Sequence, residues 1–249
     1  TGSLTMASGA MLSSASAGIR AVAANDITVG VISTTGNVSL TATAGSILDA
    51  DSGNVSNDSA INIVASGLRL VAGVGIGAGI NQLETTVAIV SARATSGGIY
   101  LLESDDLSIG DVSVTVNRVK TDASVAGSTV SDATQSDVIT TAGNGNIVIR
   151  SNSGSITLND GTAAQDGVAV SANGTGNILI QANASTGDIT ANADIQSASG
   201  NISVLAGHSV VFNATADARS QGAGSIDVVA ATGSLTMASG AMLSSASAG

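Results

Sequence analysis

Four carboxylates crowd one short stretch of the chain: Glu103, Asp105, Asp106 and Asp111. Several oxygens held close together are what a hard cation such as Ca²⁺ takes as ligands. The Gly-Gly-x-Gly-x-Asp repeat of calcium-binding β-rolls is missing, however, and the SGGIYL at Ser96–Leu101 does not match it. The cluster therefore reads first as a solvated turn and second as a cation site. Asp49 and Asp51, in LDADSGN, read the same way.

Glycan cleavage would need paired carboxylates across one groove, or a cation with a basic residue beside it. The acids here are spread along the chain. The single Lys, Lys120, stands near Arg118, and Tyr100 is the only tyrosine able to stack on a sugar. His208 has no Ser, Cys or metal-ligand partner at a recognisable spacing. The expectation is a protein without catalytic residues, cofactor or metal. An ice-binding face would need Thr-x-Thr on successive turns, and the TAT at Thr41–Thr43 is not regularly repeated.

What must position these residues is written in the spacing of short strands. GNVSL begins at Gly36, GNIVI at Gly145, GNILI at Gly176, GNISV at Gly200 and GSIDV at Gly224, the last three 24 residues apart. Second strands follow after a brief break, as in GSITL at Gly154 and GSLTM at Gly233. Apolar and polar residues alternate within each run, which is the signature of a half-buried strand. Gly, Asn, Asp and Ser punctuate the ends, where turns need them. No stretch shows helical periodicity with caps. Short strands at a fixed period indicate a solenoid. The fold expected is all-β: a right-handed parallel β-helix with about 24 residues per coil.

Composition agrees. The chain has 249 residues, no Pro, Cys or Trp, one Phe (Phe212), and 43% hydrophobic residues, too many for a disordered linker. Its apolar residues are mostly small or β-branched, suited to a narrow core. Its 18 acidic and 7 basic residues give a net charge of −11. That disfavours nucleic acid, which needs clustered cations, and anionic membrane surfaces. No apolar run is long enough for a membrane helix.

A longer repeat encloses the short one. TGSLTMASGAMLSSASAG at Thr1–Gly18 recurs unchanged at Thr232–Gly249, an offset of 231 positions (232 − 1). The chain is expected to be one continuous solenoid slice over residues 1–249, a 231-residue tandem period plus an 18-residue overlap. Roughly ten coils are expected, with the two copies equivalent and separated along the rod axis with little lateral displacement. Neighbouring periods of the same chain would be the first partners. Seven Asn-x-Ser/Thr triplets, at Asn37, Asn54, Asn57, Asn173, Asn183, Asn201 and Asn213, read as turn formers, some stacked into hydrogen-bonded ladders. Thr121–Asn146, sparse in apolar residues, reads as a long excursion from one coil and the preferred place for a binding loop.

The stretches GLRLVAGVGIGAGINQLETTVAIVSARATSGGIYLLESDDLSIGDVSVTVNRV (Gly67–Val119) and DGVAVSANGTGNILIQANASTGDITANADIQSASGNISVLAGHSVVF (Asp166–Phe212) resemble modules of giant Gram-negative surface proteins, the filamentous-haemagglutinin-like and large-adhesin exoproteins. The resemblance implies a secreted rod at the bacterial outer surface or in an extracellular matrix. It implies a shaft of an adhesin or biofilm fibre, with a self-assembling filament or sheath as the alternative and a polysaccharide-active enzyme third. Lateral self-association, or a host, cell-surface or matrix glycan or protein, would be the further partner. No site residues carry over from it.

Overall fold

The computed structural model describes residues 2–51 and 60–246. Asn54 and Asn57 lie outside the described residues. The described residues contain strands and turns and no helix. Every pairing between successive coils is parallel, so the chain is a parallel β-helix. One ladder runs its whole length: Leu4, Ile27, Ile47, Ile76, Ile99, Ile147, Ile178, Ile202 and Ile226 pair rung to rung. Nine rungs mean eight full turns between Leu4 and Ile226, about 38 Å of rod at one strand spacing per turn.

The alternation seen in the sequence sorts inside from outside. Ile147, Ile149, Ile178, Ile180, Ile202 and Val204 are buried, while Val148, Leu179 and Ser203 between them are half-exposed. Ile226 and Val228, on the last coil, are partly buried and pack on the core from its open end. The lone Phe212 is fully buried, because its neighbour below on the ladder is the small Ala191.

The Gly-Asn pairs that open these strands have two jobs. The glycines Gly145, Gly176, Gly200 and Gly224 form a column where successive backbones nearly touch. A Cβ on Gly200 would lie 2.1 Å from the Gly176 carbonyl oxygen, and one on Gly224 1.9 Å from that of Gly200. The asparagines beside them stack. Asn177 N–H donates to Asn146 Oδ1 (2.9 Å), Asn201 Nδ2 to Asn177 Oδ1 (3.0 Å), and Ser225 N–H to Asn201 Oδ1 (2.8 Å). A second column joins Asn159, Asn192 and Asn213. An inward-facing serine in Ser-x-x-Gly closes two kinds of corner: Gly200 N–H donates to Ser197 Oγ at the Gly-Asn corner, and Gly154 N–H to Ser151 Oγ at the next. The sequence reading missed these serines, although the three-residue spacing to Gly was visible.

The 24-residue coil holds for the steps Ile178–Ile202–Ile226, but the roughly ten coils expected of one 231-residue period are between eight and nine turns. The reason is insertion. From Ile99 to Ile147 the step doubles, because a β-hairpin (Val112–Asn117 with Thr129–Gln135) leaves the coil after Leu107–Ile109 and returns before Val138–Thr140. The excursion therefore begins nine residues before Thr121, and Val138 is already back in the core.

The repeated segments are not on equivalent faces. Leu4 belongs to the isoleucine ladder. Leu235, the same residue one period on, pairs with Val210, on the ladder Leu107–Ile156–Ile189–Val210–Leu235. Likewise Leu12 pairs with Ile32, on the ladder that runs through Glu103 and Ser151 to Ala230, while its counterpart Leu243 pairs with Ala218 on another face. The expectation of a simple axial shift is corrected: the chain passes Ile226, completes its eighth turn, and advances nine residues and one face further to Leu235.

Candidate interaction surface

The hairpin does not hang free. Its first strand lies across the outer surface of the strands Ile19–Ala23, Asn37–Ala42 and Ile63–Ala72, three coils stacked below its own. Val112 and Val114 are buried there. Gly18 leaves the room, since a Cβ at that position would meet Val114 Cγ1 at 3.2 Å. The sequence explains the direction of travel, because Val112, Val114 and Val116 alternate with Ser113 and Thr115, giving the hairpin one apolar face.

Polar contacts fix the register. Arg20 Nε donates to Asp132 Oδ2 at 2.9 Å and Ser39 Oγ donates to the same oxygen at 2.7 Å. Asn37 Nδ2 donates to the Ser113 carbonyl, Arg69 Nε to that of Ala133, and Gln135 Nε2 to that of Leu70. Burial works to raise the Asp132 carboxyl, but hydrogen bonds from Arg20 and Ser39 and the charges of Arg20 and Arg69 outweigh it and hold it below the usual range. Arg69 is lowered by burial, with Asp132 opposing and the charges of Arg20 and Arg93 adding to the shift. Three of the seven basic residues thus gather under a hairpin on an acidic protein. Beside them a polar pocket of 250 Å³ is lined by Arg69, Arg93, Thr134, Gln135 and Ser136.

The hairpin tip points its apolar residues outward. Val119 is 64% exposed and Val125 47%. Arg118 and Lys120 stand beside them, and the turn is closed by Lys120 N–H to the Ser124 carbonyl and Lys120 Nζ to that of Ala126. Ala123 and Gly127 take positive φ, at 61° and 66°. A fixed loop with two exposed valines and two cations can grip an apolar, acidic partner.

The four acids of the sequence cluster do not converge on one point: Glu103 and Asp105 interact, Asp106 caps a turn, and Asp111 stands at another corner. Glu103 points into the rod, fully buried, on a rung between Thr85 and Ser151. Thr85 Oγ1 donates to its Oε2 at 2.7 Å, and the amides of Val87 and Ser104 donate to the same carboxylate. Burial nevertheless pushes its pKa from 4.5 up to about 7. Asp106 Oδ1 accepts from Ser155 N–H on the next coil (2.7 Å), a turn-capping contact. Asp105 stands beside it, and both border a groove of 470 Å³ that runs over Thr34, Val64, Ser66, Thr86 and Ala88. Asp111, at another corner, accepts from the Thr162 amide and hydroxyl. Burial opposes these bonds, but they win and lower its pKa. Among the described residues no three acids or histidines come together as a metal centre. Asp49 accepts from Asn62 Nδ2 at 2.6 Å and from the Asp51 amide. His208 Nδ1 lies 2.7 Å from Asp188 Oδ1 at an exposed corner, and both touch Ser209.

No known protein family, curated protein or solved structure matches the chain.

Proposed function

We propose that the chain is a length of shaft in a bacterial extracellular adhesin or fibre, one period of a tandem array, with the hairpin tip as its contact element. The observation that carries this reading is a solenoid whose stacked ladders run unbroken from Leu4 to Ile226 while one hairpin is strapped to its side. Parallel stacking gives stiffness and length, because each coil pairs along its strands with the next. The strapped hairpin gives repeated display, and weak contacts at many tips would add through effective concentration. The reading gives the chain no catalytic step, and its binding acts on a protein or glycan surface outside the cell.

A second reading, a self-assembling filament or sheath, draws on the flat outer surface where Tyr100, Val148 and Leu179 stand in register, half-exposed. Such a surface suits side-by-side packing of rods.

Beads coated with the chain, and with a variant carrying Val119→Ser and Val125→Ser, separate the two. The shaft reading expects bacterial or host-cell surfaces to retain wild-type beads and release the variant, with both chains monomeric in sedimentation. Equal retention would remove the tip from the proposal. Concentration-dependent rods growing sideways in both chains would favour the sheath.

A further inference from the structure

The two copies of the eighteen-residue segment pair on opposite edges. In the first copy, Leu4 and Thr5 pair forward with Ile27 and Thr28, and Leu12 and Ser13 with Ile32 and Ser33. In the second, Leu235 and Thr236 pair backward with Val210 and Val211, and Leu243 and Ser244 with Ala218 and Arg219. The two sets of pairings are complementary. Laid over one another, the copies make one coil with both neighbours in place: Val210 below and Ile27 above the same leucine, Ala218 below and Ile32 above the other.

We propose that successive periods share the eighteen-residue segment as one coil, and that this join rotates each period against the one before it. The proposal rests on the tandem reading above and adds its geometry. The ladder Leu107–Ile156–Ile189–Val210–Leu235 becomes, through Leu235 standing as Leu4, the ladder that leads to Ile27. The face of Ala218 and Leu243 becomes that of Leu12 and Ile32. The face of Ile226 is left for the strand Ile19–Ala23, which opens the coil after the repeat. All three faces step in the same sense. On the coil that starts at Ile202, Leu4 to Leu235 advances eight positions (210 − 202) and Leu12 to Leu243 twelve (218 − 206), so one period is eight turns plus about a third to a half of a turn, and successive periods are rotated by that much around a shared axis. The hairpins then wind around the shaft, one about every 40 Å at one strand spacing per turn. A shaft built this way presents its tips to every side, which a row on one side would not.

The test is a chain of two joined periods carrying one spin label in each hairpin tip, at Thr121→Cys, since the protein has no cysteine of its own. Pulsed electron resonance reads the distance. Two tips in one row would be separated by the axial rise alone, about 40 Å. The rotated join expects one narrow distribution clearly longer than that, and the same lengthening for labels at the exposed Asp227, on a different face. A narrow distribution at about 40 Å for both positions overturns the rotation and leaves the tandem rod standing. A broad distribution means the periods do not stack, and overturns both.

Discussion

The coils from Ile147 to Ala230 and the coils before them use the same ladders in different ways. In the later set the strands are of three to five residues, paired coil to coil in simple register apart from a shift between Val168 and Val170 against Asp194–Ser197. In the earlier set two strands run to ten and twelve residues, Ile63–Ala72 and Leu83–Ala94, and turn a corner without breaking. Leu83–Ala94 pairs with three separate strands of the next coil, at Leu83, Ile89 and Ala92. The earlier coils are also crossed by the hairpin, and the later ones are not. Pure stacking couples each coil to its neighbours, whereas a strap couples a coil to others three steps away. The later coils should fail locally and the earlier ones together.

The largest effect should come from Ile180→Asp. Ile180 is fully buried between Ile149 and Val204. An unpaired carboxylate there has no donor, and the change should cost more than about 4 kcal/mol. Hydrogen exchange should show the loss confined to the coils around Ile149, Ile180 and Val204. If protection under the hairpin disappears equally, the contrast between the two regions is wrong.

Glu103 sits where the two regions meet and gives a change of opposite sign. Its carboxyl is ordinary at 4.5 when unfolded and about 7 when folded. A raised carboxyl pKa means that the fold prefers the protonated form. Stability is therefore full below pH 4.5, falls as the pH climbs to about 7, and stays reduced above. Glu103→Gln keeps an acceptor for the amides of Val87 and Ser104 and can donate to Thr85. It should stabilise the chain by about 2–3 kcal/mol at pH 8 and hardly at all at pH 4. Thermal melts at the two pH values check this, and a variant less stable at pH 8 would show that the ionised form is the one the coil needs.

The strap itself should be worth less. Asp132→Asn removes the charge that Arg20 and Arg69 face and weakens the bond from Ser39. A loss of about 1–2 kcal/mol is expected, because Arg20 keeps some solvent. Proteolysis should cut the hairpin sooner while leaving the coils after Ile147 intact. Equal protection in both chains would mean that Val112 and Val114 hold the hairpin alone.

How far the sequence foretold this follows the same division. The later coils were legible because Gly-Asn corners recur at a fixed step and the strands alternate cleanly, as in Ile178–Ala182 and Ile202–Ala206. The acids were not legible, because clustering in sequence says nothing about corners. Glu103, Asp106 and Asp111 fall at three places on the perimeter, one of them inward. The excursion was seen as a loss of step, but its docking was not. A hairpin that pairs with itself and then lies across three other coils depends on contacts such as Arg20 to Asp132, 112 residues apart. The rotation of the repeat was hidden for a related reason. Identical letters imply identical local strands, but the face they occupy is set by the summed length of every loop between them.

The smallest effect expected is in the asparagine column, which should act one coil at a time. Asn201 donates from Nδ2 to Asn177 Oδ1 and accepts at Oδ1 from the amide and hydroxyl of Ser225. The side chains are exposed, so water replaces what is lost, and Asn201→Ala should cost only about 0.5–1.5 kcal/mol. What changes is order at the corner. The Ser225 amide loses its partner and should exchange faster, while the Ile178 amide, bonded to the Asn201 carbonyl, keeps its protection. Asn201→Asp gives the sharper comparison. It keeps an acceptor for Ser225 but sets a carboxylate against Asn177 Oδ1, where the donor stood, so Ser225 should stay protected while the contact below it opens. If both variants exchange like the parent at Ser225, the column is decoration on a corner already fixed by the glycines, and the stacking of Gly176, Gly200 and Gly224 alone sets the coil.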